Sequence, residues 1–245
     1  MKRLLDIIVS IVGLLIFSPL LMAVMFLVWM QDKKSPFYIA TRVGQNKKNF
    51  NMVKLRSMVT NADKTGVDST SASDTRITPV GHFIRKYKLD ELTQLWNVLL
   101  GNMSLVGPRP NVKNDTDLYT SVERELLSVK PGITDFSSIV FSDEGDILKD
   151  SSDPDLDYNQ LIRPGKNLLG LFYLNKSNIA LDIYLCFLTV VAIVSKTNAL
   201  LLINKLLIYL KADTEIIEIA SRKKPLLPRP PPGMSEIVKS RQHLQ

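Results

Sequence analysis

Two adjacent carboxylates, Asp90 and Glu91, lie where the sequence predicts the first turn of an amphipathic helix that ends at Gly101. A helix N-terminus favours negative charge, so a carboxylate there stays ionised and can attack phosphorus, while its neighbour can offer Mg²⁺ a hard oxygen ligand. An Asp-Glu pair in a first turn is also ordinary in helices that have no catalytic role. The pair alone therefore does not decide the chemistry.

Basic side chains accompany this pair on both sides. Arg85, Lys86 and Lys88 precede it, and Arg109 follows in a loop that two prolines stiffen. Cations near a carboxylate lower its pKa, and guanidinium groups match the oxygens of a diphosphate. A surface salt-bridge network would give the same pattern, so the constellation favours a phosphate-handling site without establishing one.

The composition narrows the classes of protein. A net charge of +7 indicates an anionic partner, for which nucleic acid, anionic lipid and phosphorylated small molecules all qualify. The single cysteine, Cys186, excludes an intrachain disulfide, and with only two histidines the sequence offers no ligand set for structural zinc. The glycine motifs of dinucleotide-binding and Walker folds are also missing. One compact, cytosol-facing core with appendages is the expectation.

The N-terminus carries an uncharged apolar stretch from Ile7 to Met30, long enough as a helix to cross a bilayer core. Ser18-Pro19 interrupts it at its midpoint, where proline should kink the helix and the Ser18 hydroxyl can satisfy a carbonyl freed in the preceding turn. Lysine or arginine flanks both ends. A kinked spanning helix and a re-entrant helix with both ends in the cytoplasm fit these facts equally well.

The rest of the chain shows shorter patterns. Alternating runs on either side of a turn at Gly44-Gln45-Asn46 predict a β-hairpin within residues 37–55, and the polar stretch from Asn61 to Thr78 predicts a mobile surface loop. Ile183–Ser195 is too short to span a membrane, which indicates a core helix or an interfacial one. The predicted organisation is an anchor over 1–34, a catalytic domain over 35–196, an extension over 197–221 and a disordered, basic, proline-rich tail over 222–245.

The order of many short motifs resembles the bacterial sugar transferase family of monotopic polyprenyl-phosphate phosphoglycosyl transferases, over about residues 1 to 196. The matching motifs are Lys2-Arg3-Leu4-Leu5-Asp6, Ser18-Pro19, Lys54-Leu55-Arg56-Ser57-Met58, Arg85, Leu89-Asp90-Glu91-Leu92, Gln94-Leu95-Trp96-Asn97-Val98, Gly101-Asn102-Met103-Ser104, Val106-Gly107-Pro108-Arg109-Pro110, Pro131-Gly132-Ile133-Thr134, Tyr173, Asn175, Ser177 and Asp182. Any one of them is weak, but their shared order is specific.

The resemblance implies an α/β, mostly α fold with a re-entrant membrane helix broken at Ser18 and Pro19, a small cytosolic catalytic domain with a short β-hairpin, and interfacial amphipathic helices. It implies that Asp90 forms a covalent phosphosugar intermediate and that Glu91 binds Mg²⁺. The further positions that it implies for substrate binding are Arg85, Arg109, Lys54, Arg56 and Asp182.

The implied reaction moves a sugar 1-phosphate from a UDP-sugar to polyprenyl (undecaprenyl) phosphate and releases UMP. Such an enzyme starts the assembly of a polysaccharide, a lipopolysaccharide or a capsule at the cytoplasmic face of the bacterial inner membrane. Its partners would be the nucleotide sugar, the polyprenyl phosphate and membrane lipid, with a homodimer as an open option and no nucleic acid. The sequence departs from the family's pattern after Thr134, where it reads Asp135-Phe136-Ser137-Ser138-Ile139, and this leaves the sugar undetermined.

Two other functions fit parts of the sequence. A metal-dependent glycosyltransferase would use an Asp-x-Asp pair to hold Mg²⁺ on a nucleotide diphosphate. Such pairs occur at Asp115/Asp117, Asp153/Asp155 and Asp155/Asp157. A non-enzymatic anchor would place a basic module on anionic lipid. The released nucleotide separates the three, since phosphosugar transfer yields a monophosphate, glycosyl transfer yields a diphosphate and an anchor yields neither.

Overall fold

A computed structural model describes residues 1–62 and 70–240, and helices predominate in it. The helices are α1 (Lys2–Asp32), α2 (Pro79–Lys86), α3 (Leu89–Leu92), α4 (Gln94–Leu100), α5 (Lys113–Asp117), α6 (Phe136–Val140), α7 (Glu144–Ile147), α8 (Pro154–Asp157), α9 (Arg163–Lys176), α10 (Ile179–Val194), α11 (Lys196–Tyr209) and α12 (Thr214–Ser221). The strands are β1 (Phe37–Val43), β2 (Asn49–Leu55), β3 (Ser104–Val106) and β4 (Gly132–Thr134). The mostly helical α/β class is confirmed.

The predicted β-hairpin is confirmed. β1 and β2 pair antiparallel from Phe37↔Leu55 to Val43↔Asn49, and a 3₁₀ turn over Gln45–Lys47 connects them. A second pairing was not predicted, because β3 lies in the segment that the sequence presents as a proline-stiffened loop. β3 pairs in parallel with β4 over three residues, which is too short for a strand pattern to show in the sequence.

The predicted amphipathic helix that begins around Asp90 and Glu91 is divided into α3 and α4, and α2 precedes it. Gly101 ends α4 with φ of 84°, so the predicted helix stop is confirmed. Asp90 and Glu91 lie in the first turn of α3. α3 spans only four residues, because Lys88 at its start has a left-handed backbone with φ of 52° that breaks the helix there.

The apolar N-terminal stretch forms α1, which continues helically through Pro19. The Ser18 hydroxyl donates to the Leu15 carbonyl at 2.8 Å, as predicted for the carbonyl that proline leaves without an amide donor. α1 is the one helix in the described ranges that is long and apolar enough to cross a membrane. One face, with Val24 and Val28, is buried against the body of the protein, and the remaining apolar surface is exposed.

The C-terminal extension is part of the main core. α11 buries Ala199, Ile203 and Leu207 in the same cluster as residues of α6, α9 and α10, and α12 packs against α9 and α11. In α10, Leu185 and Leu188 are fully buried whereas Phe187 and Val190 are more than half exposed. This apolar helix therefore contributes to the core with one face and presents an apolar outer face with the other, so the core role is confirmed and the interfacial role stays a prediction.

The proline-rich tail is extended over residues 222–240 but lies against the body of the protein. Gln160 donates to the carbonyl of Val238, whose side chain is 3% exposed, and Thr120 donates to the carbonyl of Pro232. Composition alone favours disorder here, whereas the structure shows a packed segment, because prolines restrict the free chain and reduce the entropy lost on docking. Residues 241–245, and residues 63–69 of the predicted mobile loop, lie outside the described ranges.

Candidate active site

Asp90 and Glu91 each have a cationic partner from a different element. The Lys54 ammonium of β2 lies 3.3 Å from Asp90 Oδ2, and Arg109 Nη2 lies 2.5 Å from Glu91 Oε1. Lys54 and Arg109, which the sequence analysis assigned to substrate binding, are thus brought to the carboxylate pair by folding. We use the term charged centre for these four residues together with Lys88, Glu144 and Lys166.

Hydrogen bonds hold α3 and α4 against β2. The Thr93 hydroxyl donates to the Val53 carbonyl at 3.0 Å, and the Asn97 amide both donates to the Asn51 carbonyl at 2.7 Å and accepts from the Val53 amide at 2.9 Å. Asn97 therefore satisfies strand groups that have no partner strand on that side. This connection places Lys54, the next residue of β2, directly beside Asp90.

The β3–β4 pairing positions Arg109. Gly107 and Gly132 lie so close together that a Cβ added to Gly132 would be 2.1 Å from the Gly107 nitrogen. The Gly132 amide donates to the Pro108 carbonyl at 3.0 Å, immediately before Arg109. Only glycine permits this backbone approach, so the Pro-Arg-Pro loop is fixed by its neighbours as well as by its prolines.

The charges of the centre shift one another's pKa values. Burial alone would raise the pKa of Glu91, but Arg109, Lys88 and Lys54 outweigh it and lower the pKa from 4.5 to about 2. Glu91 in turn raises the pKa of Arg109. Burial lowers the pKa of Lys88, against the opposing effect of Glu91. Glu91 is therefore ionised at every physiological pH.

Glu144 and Lys166 complete the centre on its far side. They form an ion pair. Burial alone would raise the pKa of Glu144, but Lys166 and then Arg109 outweigh burial and lower this pKa. The Lys166 ammonium also lies 5.2 Å from the centre of the Tyr158 ring. Four cations thus surround three carboxylates, an excess of positive charge that suits an anionic ligand.

A cleft opens beside Arg109. Its lining includes Arg109, Asn111, Tyr119, Tyr158, Lys166 and Asn167. The lining also includes the Asp135 carboxylate. It thus combines two cations and one carboxylate with amides and aromatic rings, the groups that bind phosphates, hydroxyls and ring systems.

A family model for bacterial sugar transferases matches residues 1–196. The chain belongs to this family. A UDP-N-acetylgalactosamine-undecaprenyl-phosphate N-acetylgalactosaminephosphotransferase of Aeromonas hydrophila is 35% identical over 57% of this chain and 34% of its own length. An undecaprenyl-phosphate glucose phosphotransferase of Komagataeibacter xylinus is 34% identical over 81% of this chain and 36% of its own length.

The exopolysaccharide production protein ExoY of Sinorhizobium fredii is 37% identical over 54% of this chain and 66% of its own length. The chain thus spans about a third of two of these curated relatives and just under two thirds of the other. Membership of the transferase family and the long apolar helix α1 together indicate that the chain associates with a membrane.

Three other residues that the resemblance assigned to substrate binding lie outside the charged centre of this transferase. Arg56 is buried and makes two hydrogen bonds to the Asp32 carboxylate, at 2.6 and 2.7 Å, where α1 ends. Arg85 has its guanidinium 3.5 Å from the Ser57 hydroxyl. The structure therefore gives Arg56 a clear role in holding α1 and gives Arg85 only a weak contact.

Asp182 is the third of these residues. It is 2% exposed, accepts a hydrogen bond from Tyr173 at 2.5 Å and pairs with the Lys2 ammonium at 2.6 Å. Lys2 also donates to the Val106 carbonyl of β3 at 2.9 Å. We call Lys2, Tyr173 and Asp182 the anchor cluster, because they fasten the start of α1 to the strand that leads to Arg109.

Arg3 and Asp6, the other polar residues at the start of α1, also fasten this helix to the body of the protein. Arg3 donates to the carbonyls of Val98 and Leu99 at the end of α4, and the buried Asp6 accepts from the Leu105 amide at 3.0 Å. From the sequence, Lys2 and Arg3 are predicted as basic flanks of a membrane segment and as part of a family motif. The structure uses them to position α4 and β3.

Sequence reasoning missed Glu144 and Lys166 and named Lys88 only as one of several basic residues. Glu144 lies in an acidic stretch that has the composition of a solvated loop, and Lys166 is an isolated lysine. Neither has a local pattern that marks it. Their proximity to Arg109 depends on how α7 and α9 pack, which short-range patterns do not contain.

Magnesium fits the charged centre only as an ion shared with a ligand. No three His, Cys, Asp or Glu side chains of the described residues come together as a metal-holding group. Mg²⁺ bound with substrate phosphates commonly uses one or two carboxylates and keeps its other positions for phosphate and water. Glu91, which the surrounding cations keep ionised, and its neighbour Asp90 are the donor set that suits such an ion.

Proposed function

We propose that the chain transfers a sugar 1-phosphate from a UDP-sugar to undecaprenyl phosphate, with Asp90 as nucleophile. The observation that supports this most directly is the charged centre, where two adjacent carboxylates lie among Lys54, Lys88 and Arg109. The printed names of relatives describe sugar phosphotransfer to undecaprenyl phosphate. A diphosphate fits the cations, and a carboxylate beside it is a suitable nucleophile.

In the first step, a carboxylate oxygen of Asp90 attacks the phosphorus that bears the sugar. The bond from this phosphorus to the bridging oxygen breaks, and UMP leaves with the bonding electron pair. In the second step, a phosphate oxygen of undecaprenyl phosphate attacks the same phosphorus and breaks the aspartyl-phosphate bond. The products are the undecaprenyl-diphosphate sugar and regenerated Asp90.

The cations perform the electrostatic part of this reaction. Arg109 and Lys54 are positioned to neutralise the charge that accumulates on the diphosphate and on the leaving UMP. They also lower the pKa of Glu91 and so keep its carboxylate ionised, an effect to which the dipole of the one-turn α3 could add only weakly. Glu91 would hold Mg²⁺, which when bound neutralises further phosphate charge.

We also propose that both ends of α1 lie on one side of the membrane, at its cytoplasmic face. Lys2 pairs with Asp182 at one end and Asp32 pairs with Arg56 at the other, so the catalytic body holds both ends. A straight helix of 31 residues would be about 46 Å long, which would carry one end to the opposite membrane surface if it crossed. The exposed apolar side chains between the two ends would enter one leaflet.

Cysteine accessibility tests this topology. In a Cys186→Ala background, a cysteine placed in a short peptide before Met1 and a second one at Lys34 should both resist a membrane-impermeant thiol reagent in intact cells. Labelling after detergent lysis is the control for reactivity. Labelling of the N-terminal cysteine alone in intact cells would establish a spanning helix.

The reaction is tested with the purified protein, undecaprenyl phosphate, Mg²⁺ and a panel of UDP-sugars. The expected nucleotide product is UMP, and with donor alone the intact protein should gain the mass of one phosphosugar. Release of UDP would instead support the metal-dependent glycosyltransferase. If no nucleotide is released with any donor, a membrane-anchored basic module would describe the chain better.

The Asp-x-Asp pairs that motivated the glycosyltransferase have local partners in the structure. Asp117 pairs with Lys113, and Asp153 accepts from the Leu156 amide at the start of α8. These contacts occupy one carboxylate in the first pair and one in the second, so the phosphosugar transfer is the function that we propose.

A further inference from the structure

The part of the chain from residue 197 onward lies beyond the part that the family model matches. We use the term C-terminal extension here for this whole part, including the start of the tail. It nevertheless reaches α7, which lies in the segment after Thr134 where the sequence departs from the family's pattern. The Asp143 carboxylate, directly before α7, pairs with Arg222 at 3.1 Å and with Lys196. We call these three residues the clasp.

The Arg222 side of the clasp is the part most shielded from solvent. Arg222 has a side chain that is 13% exposed, and its guanidinium lies 5.3 Å from the centre of the buried Phe141 ring. Its backbone is left-handed, with φ of 50°, at the end of α12. A charge that is bound by an ion pair and an aromatic ring at once is held in one orientation, unlike an exposed surface pair.

The clasp continues into the charged centre through one peptide unit. Glu144 follows Asp143, and its carboxylate pairs with Lys166, which lines the cleft together with Arg109. Asp143 is thus held from the side of the extension, while Glu144 pairs with a residue that lines the cleft.

A second junction joins the extension to the same place. A Cβ added to Gly165 would lie 2.8 Å from the Phe141 ring and 3.0 Å from the Ile219 side chain of α12. Phe141 and Ile219 therefore pack closely on α9 at the residue directly before Lys166. The extension thus contacts the residue directly before each partner of the Glu144–Lys166 pair, Asp143 through the clasp and Gly165 through this packing.

We infer that the C-terminal extension positions the Glu144–Lys166 side of the cleft for the phosphates of the nucleotide-sugar donor, with Asp143 and Arg222 as positioning residues. This inference rests on the proposed function. Lys166 reaches the donor only if Glu144 holds it beside Arg109, and Glu144 stays there because the clasp fixes α7. Loss of the clasp should impair the step that uses the donor and spare the step that uses undecaprenyl phosphate.

The test compares Arg222→Gln with Arg222→Lys and with the control Lys224→Gln. Lys224 belongs to the same extension, but its ion pair with Glu218 is exposed. In a double-displacement reaction, kcat/KM for each substrate reports its own half-reaction. For Arg222→Gln we expect kcat/KM for the donor to fall about tenfold, a typical size for coupling between sites, with kcat/KM for undecaprenyl phosphate nearly unchanged. Arg222→Lys should recover most of the loss, and Lys224→Gln should match wild type.

A double-mutant cycle with Lys166→Gln gives the decisive comparison. If the clasp acts through Lys166, Arg222→Gln should have little further effect in the Lys166→Gln background. Independent, multiplicative losses would overturn the inference, as would equal losses in both half-reactions or a variant that behaves like Lys224→Gln. Asp143→Asn provides the same measurement if Arg222→Gln does not fold. A wild-type protein that releases no UMP would instead refute the proposed function itself.

Discussion

The charged centre and the anchor cluster are both groups of ionised side chains, and the family resemblance assigned residues of both to substrate binding. In the anchor cluster, Asp182 is 2% exposed and is bonded to both Lys2 and Tyr173. In the charged centre, the Glu91 and Arg109 side chains are 14% and 29% exposed, and cations outnumber carboxylates beside an open cleft.

This difference separates a structural cluster from a reactive one. A buried carboxylate with complete hydrogen bonding stabilises the fold and has no capacity left for a ligand. A group of side chains with excess positive charge at a cleft lacks part of its counter-charge until an anion binds. Activity and stability should therefore respond oppositely to mutations in the two groups, and the following predictions test this contrast.

The largest effect is expected for Asp90→Asn. If Asp90 attacks phosphorus, the variant loses the attacking group, and activity should fall by about 10⁴-fold or more with no phosphosugar adduct in the intact mass spectrum. The melting temperature should stay close to that of wild type, because the side chain keeps its size. An adduct that persists in Asp90→Asn but vanishes in Glu91→Gln would show that the two roles are reversed.

A smaller loss of activity is expected for Glu91→Gln. The nucleophile remains, but charge neutralisation at the diphosphate weakens, so activity should fall by about 10²- to 10³-fold. Any residual activity should need more Mg²⁺ than wild type, which a titration of rate against Mg²⁺ concentration measures. An unchanged Mg²⁺ dependence would remove Glu91 from the metal site.

Asp182→Asn should lower stability and spare adduct formation, the reverse of what is expected in the charged centre. Removing the charge leaves Lys2 without its partner and should lower the free energy of unfolding by about 2 kcal/mol, below the usual cost for fully buried pairs because Lys2 is 40% exposed. The fraction of folded protein that forms the adduct should stay the same. A variant that keeps its stability but forms no adduct would place Asp182 in the substrate site after all.

The smallest effect concerns acid stability. The folded-state pKa of Glu91 is lowered from 4.5 to about 2, so its ionised form adds stability that is complete above pH 4.5 and is lost as pH falls toward 2. After allowance for the partial exposure of Arg109, this contribution should be about 1 kcal/mol. The difference in unfolding free energy between wild type and Glu91→Gln, measured from pH 5 to pH 2, should shrink by this amount. A difference that stays constant with pH would contradict the Glu91–Arg109 pairing.

The sequence determined the local features of this protein. The length of α1, the Ser18–Leu15 hydrogen bond, the β-hairpin, the stop at Gly101 and the place of Asp90 and Glu91 in a first turn all follow from contacts within a few residues. Local preferences of this kind can be read directly from residue types and their spacing.

Only the tertiary structure decided which charges meet. Lys54 and Arg109 reach Asp90 and Glu91 because β2 and β3 pack against the helices, whereas Asp182, marked by the same family motifs, pairs with Lys2, which is 180 residues away in sequence. The extension and Lys166 carry no local signal, yet Lys166 lines the cleft and the extension packs against Gly165 directly before it. Long-range packing sets these distances, and a side chain's partners across the fold decide whether its charge is satisfied or available to a substrate.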